Sequence, residues 1–279
     1  MGNNSSSSGG GGAPPTGRKV MSSKLETAHK TSVLNLADMD IKASSSVWLK
    51  IQEENLHLKI KTLDVSGNQA KSLAVEIYSM VNLKTLHASR CGIQRISDLS
   101  SLDKLAVLNL DRNDLEIDVV TRLPTTLLRL NLSSNHFSAV PPAIRPLVNV
   151  TELNLGNNRI ENVNGIGDMV SLVILNLDDN HICELPDEMS KLIKLRQISL
   201  KNNRISIKAA SHEGPSIPSS FFIQTSVDTI DLSGNPVSVQ KQQLLQLEGV
   251  EVFIERRRKQ KEKQFSGGVT MDTSLFGLD

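Results

Sequence analysis

The stretch Leu105-Ala106-Val107-Leu108-Asn109-Leu110-Asp111-Arg112-Asn113-Asp114-Leu115 decides the fold of this chain. Its pattern is apolar, two variable positions, apolar, one variable, apolar, two variable, Asn, one variable, apolar. With small variations, the pattern occurs eight times, at residues 60–70, 83–93, 105–115, 127–137, 150–160, 172–182, 195–205 and 227–237. The first seven copies are spaced by 22 or 23 residues, and the eighth follows after 32. Such a regular period indicates a stack of equivalent structural units.

Each copy predicts a short strand with one buried side. Leu108 and Leu110 lie two residues apart and point to one side of the strand, while Asn109 points to the other. One strand cannot bury its apolar side alone, so the copies must stack in parallel. The pattern and period resemble leucine-rich repeats. The fold class that follows is α/β, a solenoid with a parallel sheet on its concave face, a short 3₁₀ and turn convex side, and a helical C-terminal cap.

The Asn that closes each copy is expected to be a buried structural residue. Its amide can satisfy backbone groups where the chain bends inward after the strand. Cys91 takes this position in the second copy, where a small thiol with a weak S–H donor also fits. The predicted column is Asn68, Cys91, Asn113, Asn135, Asn158, Asn180, Asn203 and Asn235.

The chain divides into five segments by composition. Residues 1–23 are rich in Ser, Gly and Pro and predict a disordered arm. Residues 24–59 predict an N-terminal cap with a degraded repeat, in which the segment 43–58 covers the first edge of the sheet and Trp48 joins the core. Repeats occupy 60–238, with a loop inserted at 207–216. Residues 239–264 predict a helical C-terminal cap with a basic run, and 265–279 a disordered tail.

Charge and cysteine usage limit the function classes. Lys and Arg number 31 against 30 Asp and Glu, a formal net charge of +1, so no overall charge favours nucleic acid. The chain has two Cys and no apolar run long enough for a signal peptide or a bilayer span. We therefore expect an intracellular, cytoplasmic protein.

The two ends of the sequence predict a peripheral, lipid-anchored association with membranes. Met1-Gly2-Asn3-Asn4-Ser5-Ser6 matches the motif for N-myristoylation of Gly2, although an ordinary N-terminus can also begin Met-Gly. One acyl chain binds membranes only marginally, so a second signal is needed. The candidate residues for contact with an anionic membrane surface are Arg256, Arg257, Arg258 and Lys259. The alternative is that this basic run is the solvated end of a capping helix.

The variable positions of the strands predict a protein-binding surface on the concave face. Long charges of both signs and an exposed apolar group there suit protein recognition, although an ordinary solvated sheet face is the alternative. Few aromatic residues reach this face, which argues against nucleic-acid stacking. The candidate residues are Arg129, Glu152, Ile174, Gln197, Asn131, Asn154 and Asn176.

No catalytic motif is found in the sequence. The six His have no metal-ligand spacing, and neither a nucleophile elbow nor a phosphate-binding loop occurs. We therefore expect no enzyme activity, no cofactor, no metal and no small-molecule substrate. The prediction is a monomeric, non-catalytic adaptor or scaffold whose protein partner is unknown. The alternative is a cytosolic regulatory subunit that steers a phosphatase or a small GTPase.

Two terminal segments narrow the resemblance. They are Glu26-Thr27-Ala28-His29-Lys30-Thr31 before the degraded repeat, and Leu247-Glu248-Gly249-Val250 followed by Glu255-Arg256 after the last copy. Together with the repeat pattern and Leu-Pro turns such as Leu185-Pro186, they resemble intracellular leucine-rich repeats of the Ras-group type, in particular leucine-rich repeat-containing protein 57 and its relatives. The resemblance covers about residues 24–264 and implies a solenoid adaptor at membranes, with Gly2 as the lipid site.

Overall fold

Nine short parallel strands form a single sheet in the part of this protein that the structure describes. The structure, a computed structural model, describes residues 17–209, 214–265 and 276. Every strand pairs with the next one in chain order. The strands are β1 (Val33–Asn35), β2 (Thr62–Asp64), β3 (Thr85–His87), β4 (Val107–Asn109), β5 (Arg129–Asn131), β6 (Glu152–Asn154), β7 (Ile174–Asn176), β8 (Gln197–Ser199) and β9 (Thr229–Asp231). The degraded repeat therefore contributes a complete strand, β1, ahead of the eight regular copies.

The register of the sheet follows directly from the repeat. Neighbouring strands pair residue for residue, as in Val107 with Arg129, Leu108 with Leu130 and Asn109 with Asn131. The middle residue of each strand is buried, and the residues on either side of it face outward. The core is a continuous apolar row between the sheet and the returning chain, because each repeat buries its apolar side against its neighbours.

The convex side consists mainly of 3₁₀ helices and turns, as the short period predicts. The 3₁₀ segments between strands are Leu56–Leu58, Val75–Ser79, Pro142–Ile144, Ile166–Asp168 and Asp187–Lys191. Two longer intervals accommodate α-helices instead: α2 (Ser46–Glu53) between β1 and β2, and α3 (Ser219–Gln224) between β8 and β9. In the described part of the inserted loop, Lys208 and Pro215 form an antiparallel β-bridge.

The Asn column lies buried inside the turns and joins each repeat to the one before it. Asn158 Oδ1 accepts a hydrogen bond from the backbone N–H of Phe137 at 3.1 Å. Its Nδ2 donates to the carbonyl of Leu132 at 3.2 Å and to that of Leu155 at 2.9 Å. One amide thus satisfies backbone groups in two successive repeats. The seven Asn of the column are all buried.

Cys91 fills its place in the column with a different set of bonds. Its Sγ lies 3.2 Å from the carbonyl oxygen of Val65 in the preceding repeat. A thiol has no counterpart to the amide oxygen, and the N–H of Ala70 bonds instead to the backbone carbonyl of Cys91 at 3.1 Å. Burial raises the pKa of the Cys91 thiol, which keeps it protonated and unreactive.

The first edge of the sheet is covered by α1 (Gly17–Thr31), which corrects two predictions. The helix begins at Gly17, so the end of the segment predicted as disordered arm is helical. The segment 43–58 was expected to cover this edge, but β1 precedes it, and α2 lies on the convex side of the first repeat. Trp48 is buried there, with its Nε1 donating to the carbonyl of Lys42 at 3.0 Å.

Side chains complete the bonding of the first edge strand. No strand precedes β1 within the described residues, so its outward backbone groups need other partners. Lys24 Nζ of α1 donates to the carbonyl of Asn35 at 2.8 Å. The N–H of Val33 donates to Thr31 Oγ1 at 3.2 Å. These two bonds replace contacts that inner strands make with the strand before them.

The last edge is covered by α4 (Lys241–Leu244), by α5 (Val250–Phe265) and by Phe276. The tail 265–279 was predicted to be disordered, but Phe276 is buried and its ring stacks on Phe253 with centroids 4.9 Å apart. Its carbonyl accepts the N–H of Leu232 at 2.8 Å, a donor that in inner repeats bonds to the next strand. Residues 266–275 and 277–279 lie outside the described residues.

Replacement of Asn158 tests the column. Asn158→Ala leaves the N–H of Phe137 and the carbonyl of Leu132 without these partners, and we expect a loss of about 1–3 kcal/mol in unfolding free energy. Asn158→Cys should lose less, since Cys91 bonds to the preceding repeat through its thiol. Urea unfolding measures the three stabilities. Equal stability of wild type and Asn158→Ala would show that the column is not structural.

Candidate functional site

The centre of the concave face holds a hollow of about 420 Å³ formed by β3 to β7. Six of the seven predicted partner-binding residues line it, namely Arg129, Asn131, Glu152, Asn154, Ile174 and Asn176. The buried Leu108, Leu130 and Leu153 also line it, and His87, Val107 and Asn109 complete the lining. His87, Val107 and Asn109 occupy the same strand positions as the predicted residues. Alignment of the repeats could therefore have identified them from the sequence.

Three asparagines present amide donors along the floor of this hollow. The side-chain oxygens of Asn131, Asn154 and Asn176 each accept the backbone N–H two residues later, at 3.1, 3.0 and 2.8 Å. These bonds close the turns that follow the strands and fix the orientation of each amide. Within the described residues, their Nδ2 groups make no hydrogen bond. The result is a row of oriented donors about 4.8 Å apart, one per strand.

The charged pair beside the asparagines is open to solvent. Arg129 Nε lies 3.4 Å from Glu152 Oε1 across neighbouring strands, and the two side chains are 62% and 48% exposed. An exposed pair contributes at most about 1 kcal/mol to stability, so both groups are available to a partner. Ile174 on the next strand is 38% exposed and adds apolar surface.

The seventh predicted residue, Gln197, lies outside this hollow. It lines a neighbouring hollow of about 220 Å³ with Ile174, Thr229 and Gln260. Asp228 borders that hollow and is held by Arg196, whose Nη2 lies 2.6 Å from Asp228 Oδ2. The structure therefore places Gln197 at the junction between the concave face and the C-terminal helix α5.

The predicted basic run is partly structural. Arg256 donates to the carbonyls of Val227 and Phe222, and burial lowers the pKa of its guanidinium. Arg257 is 8% exposed and its Nη1 donates to the carbonyl of Asp228 at 3.1 Å. In inner repeats the equivalent carbonyl accepts an N–H from the next strand, as that of Arg196 does from Asp228. These two arginines therefore complete the last edge, which the sequence did not predict.

The other two basic candidates are exposed. Arg258 and Lys259 pair with Glu255 at 2.9 and 3.5 Å, and the hydrogen bond from Arg258 lowers the pKa of the Glu255 carboxyl. They remain accessible to an external anion. The predicted lipidation site, Gly2, lies outside the described residues.

No metal centre or membrane span is found in the described ranges. Among residues 17–209, 214–265 and 276, no three His, Cys, Asp or Glu side chains form a group that could hold a metal ion. None of the helices in the same ranges is both long and apolar enough to cross a bilayer. Cys91 and Cys183 are free thiols.

Comparison with known sequences identifies the repeats. The sequence profile of the leucine-rich repeat matches residues 125–182. The human protein named Leucine-rich repeats and immunoglobulin-like domains protein 3 is 31% identical over 111 residues, which cover 38% of this chain. The chain spans only 10% of the length of that relative, so the likeness concerns the repeats. These matches support a leucine-rich-repeat protein.

Comparison with solved structures confirms the predicted fold class. An internalin from Listeria monocytogenes has a TM-score of 0.50 at 23% identity, over 65% of this chain and 50% of its own. YopM from Yersinia enterocolitica has a TM-score of 0.51 at 24% identity, over 64% of this chain and 34% of its own. The protein is a leucine-rich-repeat solenoid, a fold that typically serves as a non-catalytic protein-interaction module.

Arg257 provides a test of the structural part of the basic run. Arg257→Met retains the buried aliphatic stem but leaves the carbonyl of Asp228 without this donor, and we expect a loss of about 1–3 kcal/mol in unfolding free energy. Arg258→Met is the matched control, since it removes an exposed arginine and should change stability by less than about 1 kcal/mol. Urea unfolding compares them. Equal effects would mean that Arg257 does not complete the edge.

Proposed function

We propose that this protein is a non-catalytic adaptor that binds a protein partner on its concave face. The observation that supports the proposal is the convergence of Arg129, Glu152, Ile174 and the asparagine donors in one hollow. Charges of both signs, fixed amide donors and an exposed aliphatic group provide the mixed chemistry of protein interfaces. Gln197 extends the same surface toward the C-terminal cap.

The composition of this face narrows the kind of partner. The fixed Nδ2 donors suit acceptors on an extended or loop segment of a protein, such as backbone carbonyls. The nine described strands carry no Phe, Tyr or Trp on which bases could stack, so the proposed partner is not a nucleic acid. A small molecule is disfavoured as well, because the hollow lies on an open sheet surface and small ligands prefer enclosed pockets. The adaptor is proposed to act as a monomer.

Charge reversal on the concave face tests the proposed partner site. Arg129→Glu combined with Glu152→Arg retains the ion pair and should leave unfolding free energy within about 0.5 kcal/mol of wild type. Partner capture should fall on the order of tenfold or more, because each charge then meets its own sign. Affinity capture with proximity labelling in cells identifies the partners and measures the loss.

The matched control reverses an ion pair of similar exposure in α1, outside the concave face. Lys30 Nζ lies 2.8 Å from Glu26 Oε1, and both side chains are about 70% exposed. Glu26→Lys combined with Lys30→Glu should retain full capture. If both double variants capture the same partners equally well, the concave face is not the binding surface.

The membrane association of this adaptor is also a proposal. The Met1-Gly2 motif supports N-myristoylation at Gly2, and Arg258 and Lys259 are accessible to an anionic leaflet. The protein is then cytoplasmic with a peripheral, lipid-anchored association. This agrees with the resemblance to the Ras-group type and to leucine-rich repeat-containing protein 57 and its relatives. A cytosolic regulatory subunit that steers a phosphatase or small GTPase is the alternative, and it needs no lipid.

Substitution of Gly2 tests the anchor. Gly2→Ala removes the only residue on which the transferase acts, so we expect release of the protein from membranes to the cytosol. Asn4→Ala, at a variable position of the motif, is the control and should leave the distribution unchanged. Fractionation of cells that express each variant measures the membrane-bound share. Full membrane retention of Gly2→Ala would exclude the lipid anchor.

A further inference from the structure

The edge of the solenoid where the chain enters the strands carries a row of exposed apolar side chains. We call it the strand-start edge and define it by Leu58, Val81, Leu128, Val148, Val170 and Ile193 together with five lysines, Lys59, Lys61, Lys84, Lys104 and Lys194. The six apolar side chains are between 42% and 58% exposed. Five of them recur two residues before the first apolar residue of their copy, so chance scatter does not explain those five, namely Leu58, Val81, Val148, Val170 and Ile193. Leu128 lies three positions later in its own copy, in the row that also holds Lys61 and Lys84.

Hydrogen bonds between repeats hold these positions in line. The N–H of Lys84 donates to the carbonyl of Lys61, and the same bond joins each later strand start to the one before it. Asn82 Nδ2 donates to the carbonyl of Leu58 at 2.8 Å, and Ser226 Oγ to that of Ile193 at 2.6 Å. The apolar side chains and the lysines thus sit on a fixed frame.

The five lysines give this edge a positive charge. All five are exposed, and none forms an ion pair within the described residues. Lys104 Nζ donates to Asn82 Oδ1 at 2.7 Å, a neutral contact that leaves its charge uncompensated. Two acidic residues, Asp103 and Asp228, lie at the repeat positions of this edge. Arg196 offsets the charge of Asp228. The excess of cations favours an anionic partner.

More cations lie at the C-terminal end of the same edge. A hollow of about 520 Å³ is lined by Ile193, Lys194, Arg196, Arg256 and Lys259, with Asp228 as its acid. The exposed lysine of the basic run, Lys259, therefore stands beside Lys194 rather than apart from the repeats. Cations occupy both ends of the edge, and Leu128, Val148 and Val170 lie between them.

The sheet register makes this edge level. Each strand pairs with the next residue for residue, from Val33 with Thr62 to Ser199 with Asp231, so no stagger accumulates along the sheet. The strand starts from β2 to β8 therefore form one row about 29 Å long, at about 4.8 Å per strand. A level row can contact a flat surface along its full length while the concave face remains open.

We propose that the strand-start edge docks on the surface of an anionic lipid bilayer. Lysine is depleted from protein interfaces, whose anchors are enriched in Trp, Tyr and Arg, and this edge has unpaired lysines and aliphatic groups instead. Lysines beside an anionic leaflet and aliphatic side chains at the headgroup boundary are the usual elements of peripheral membrane binding. The inference rests on the proposed membrane association and supplies its second signal, because Arg256 and Arg257 are committed to backbone carbonyls.

Docking of the strand-start edge can be tested separately from the lipid anchor. The full chain is made without N-myristoylation, and its binding to vesicles is measured. The probes are vesicles of phosphatidylcholine alone and of phosphatidylcholine with about one third phosphatidylserine, at low ionic strength. We expect sedimentation with the anionic vesicles only. Lys61→Gln, Lys84→Gln and Lys104→Gln combined should weaken it on the order of 100-fold, at about fivefold per charge. Each Gln can still donate hydrogen bonds, so the fold should be retained.

The matched control removes three arginines beyond the other ends of the strands. Arg95, Arg159 and Arg204 are exposed and form no ion pair within the described residues. Changing all three to Gln removes the same net charge and should weaken binding less than about threefold. Val148→Ser with Val170→Ser should weaken it several-fold without changing the charge, and unchanged affinity would overturn the contact of the apolar row.

Equal losses of vesicle binding in the lysine and arginine variants, or no preference for anionic vesicles, would contradict docking of the strand-start edge on the bilayer. Such a result does not contradict the proposed lipid anchor, provided that Gly2→Ala is still released from membranes in cells. Conversely, retention of Gly2→Ala on membranes contradicts the lipid anchor but does not affect the conclusion from vesicle binding, which is measured without the lipid.

Discussion

The cross-repeat bonding of the asparagine column is the interaction on which the rest of the structure depends. The returning chain must turn inward after every strand, which removes backbone groups from water between two repeats. The Asn158 amide meets that need by accepting from Phe137 and donating to Leu132 and Leu155. Because each amide joins two repeats, no repeat is satisfied alone, and the solenoid is stable as a stack.

An open stack has two edges, and both are closed by groups outside the sheet. At the first edge, Lys24 and Thr31 of α1 bond to backbone groups of β1. At the last edge, the side chain of Arg257 in α5 donates to the carbonyl of Asp228, and the backbone carbonyl of Phe276 accepts the N–H of Leu232. Each bond stands where a further strand would have provided one. Such closure blocks addition of another strand, which is the usual hazard of an exposed sheet edge.

The same register that stacks the repeats separates two surfaces. Residues between the buried positions of each strand form the concave face, with Arg129, Glu152 and Ile174 on successive strands. Residues ahead of the strands form the strand-start edge, where lysines at both ends flank a run of aliphatic groups. The two surfaces use different residues of each repeat, so an adaptor docked through its edge can keep its concave face free for a protein.

The sequence by itself determined the repeat, the eight strands β2 to β9, their register and the position of the column, because each of these depends on a short local pattern that recurs. It also located six of the residues that converge in the concave hollow, since register carries equivalent positions to adjacent places. Only the tertiary structure decided which residues close the two edges. The helix from Gly17, the use of Arg257 as a carbonyl partner and the burial of Phe276 depend on contacts between segments distant in sequence. A run of basic residues has the same local pattern whether its side chains meet water or a strand edge, and only the folded chain distinguishes them.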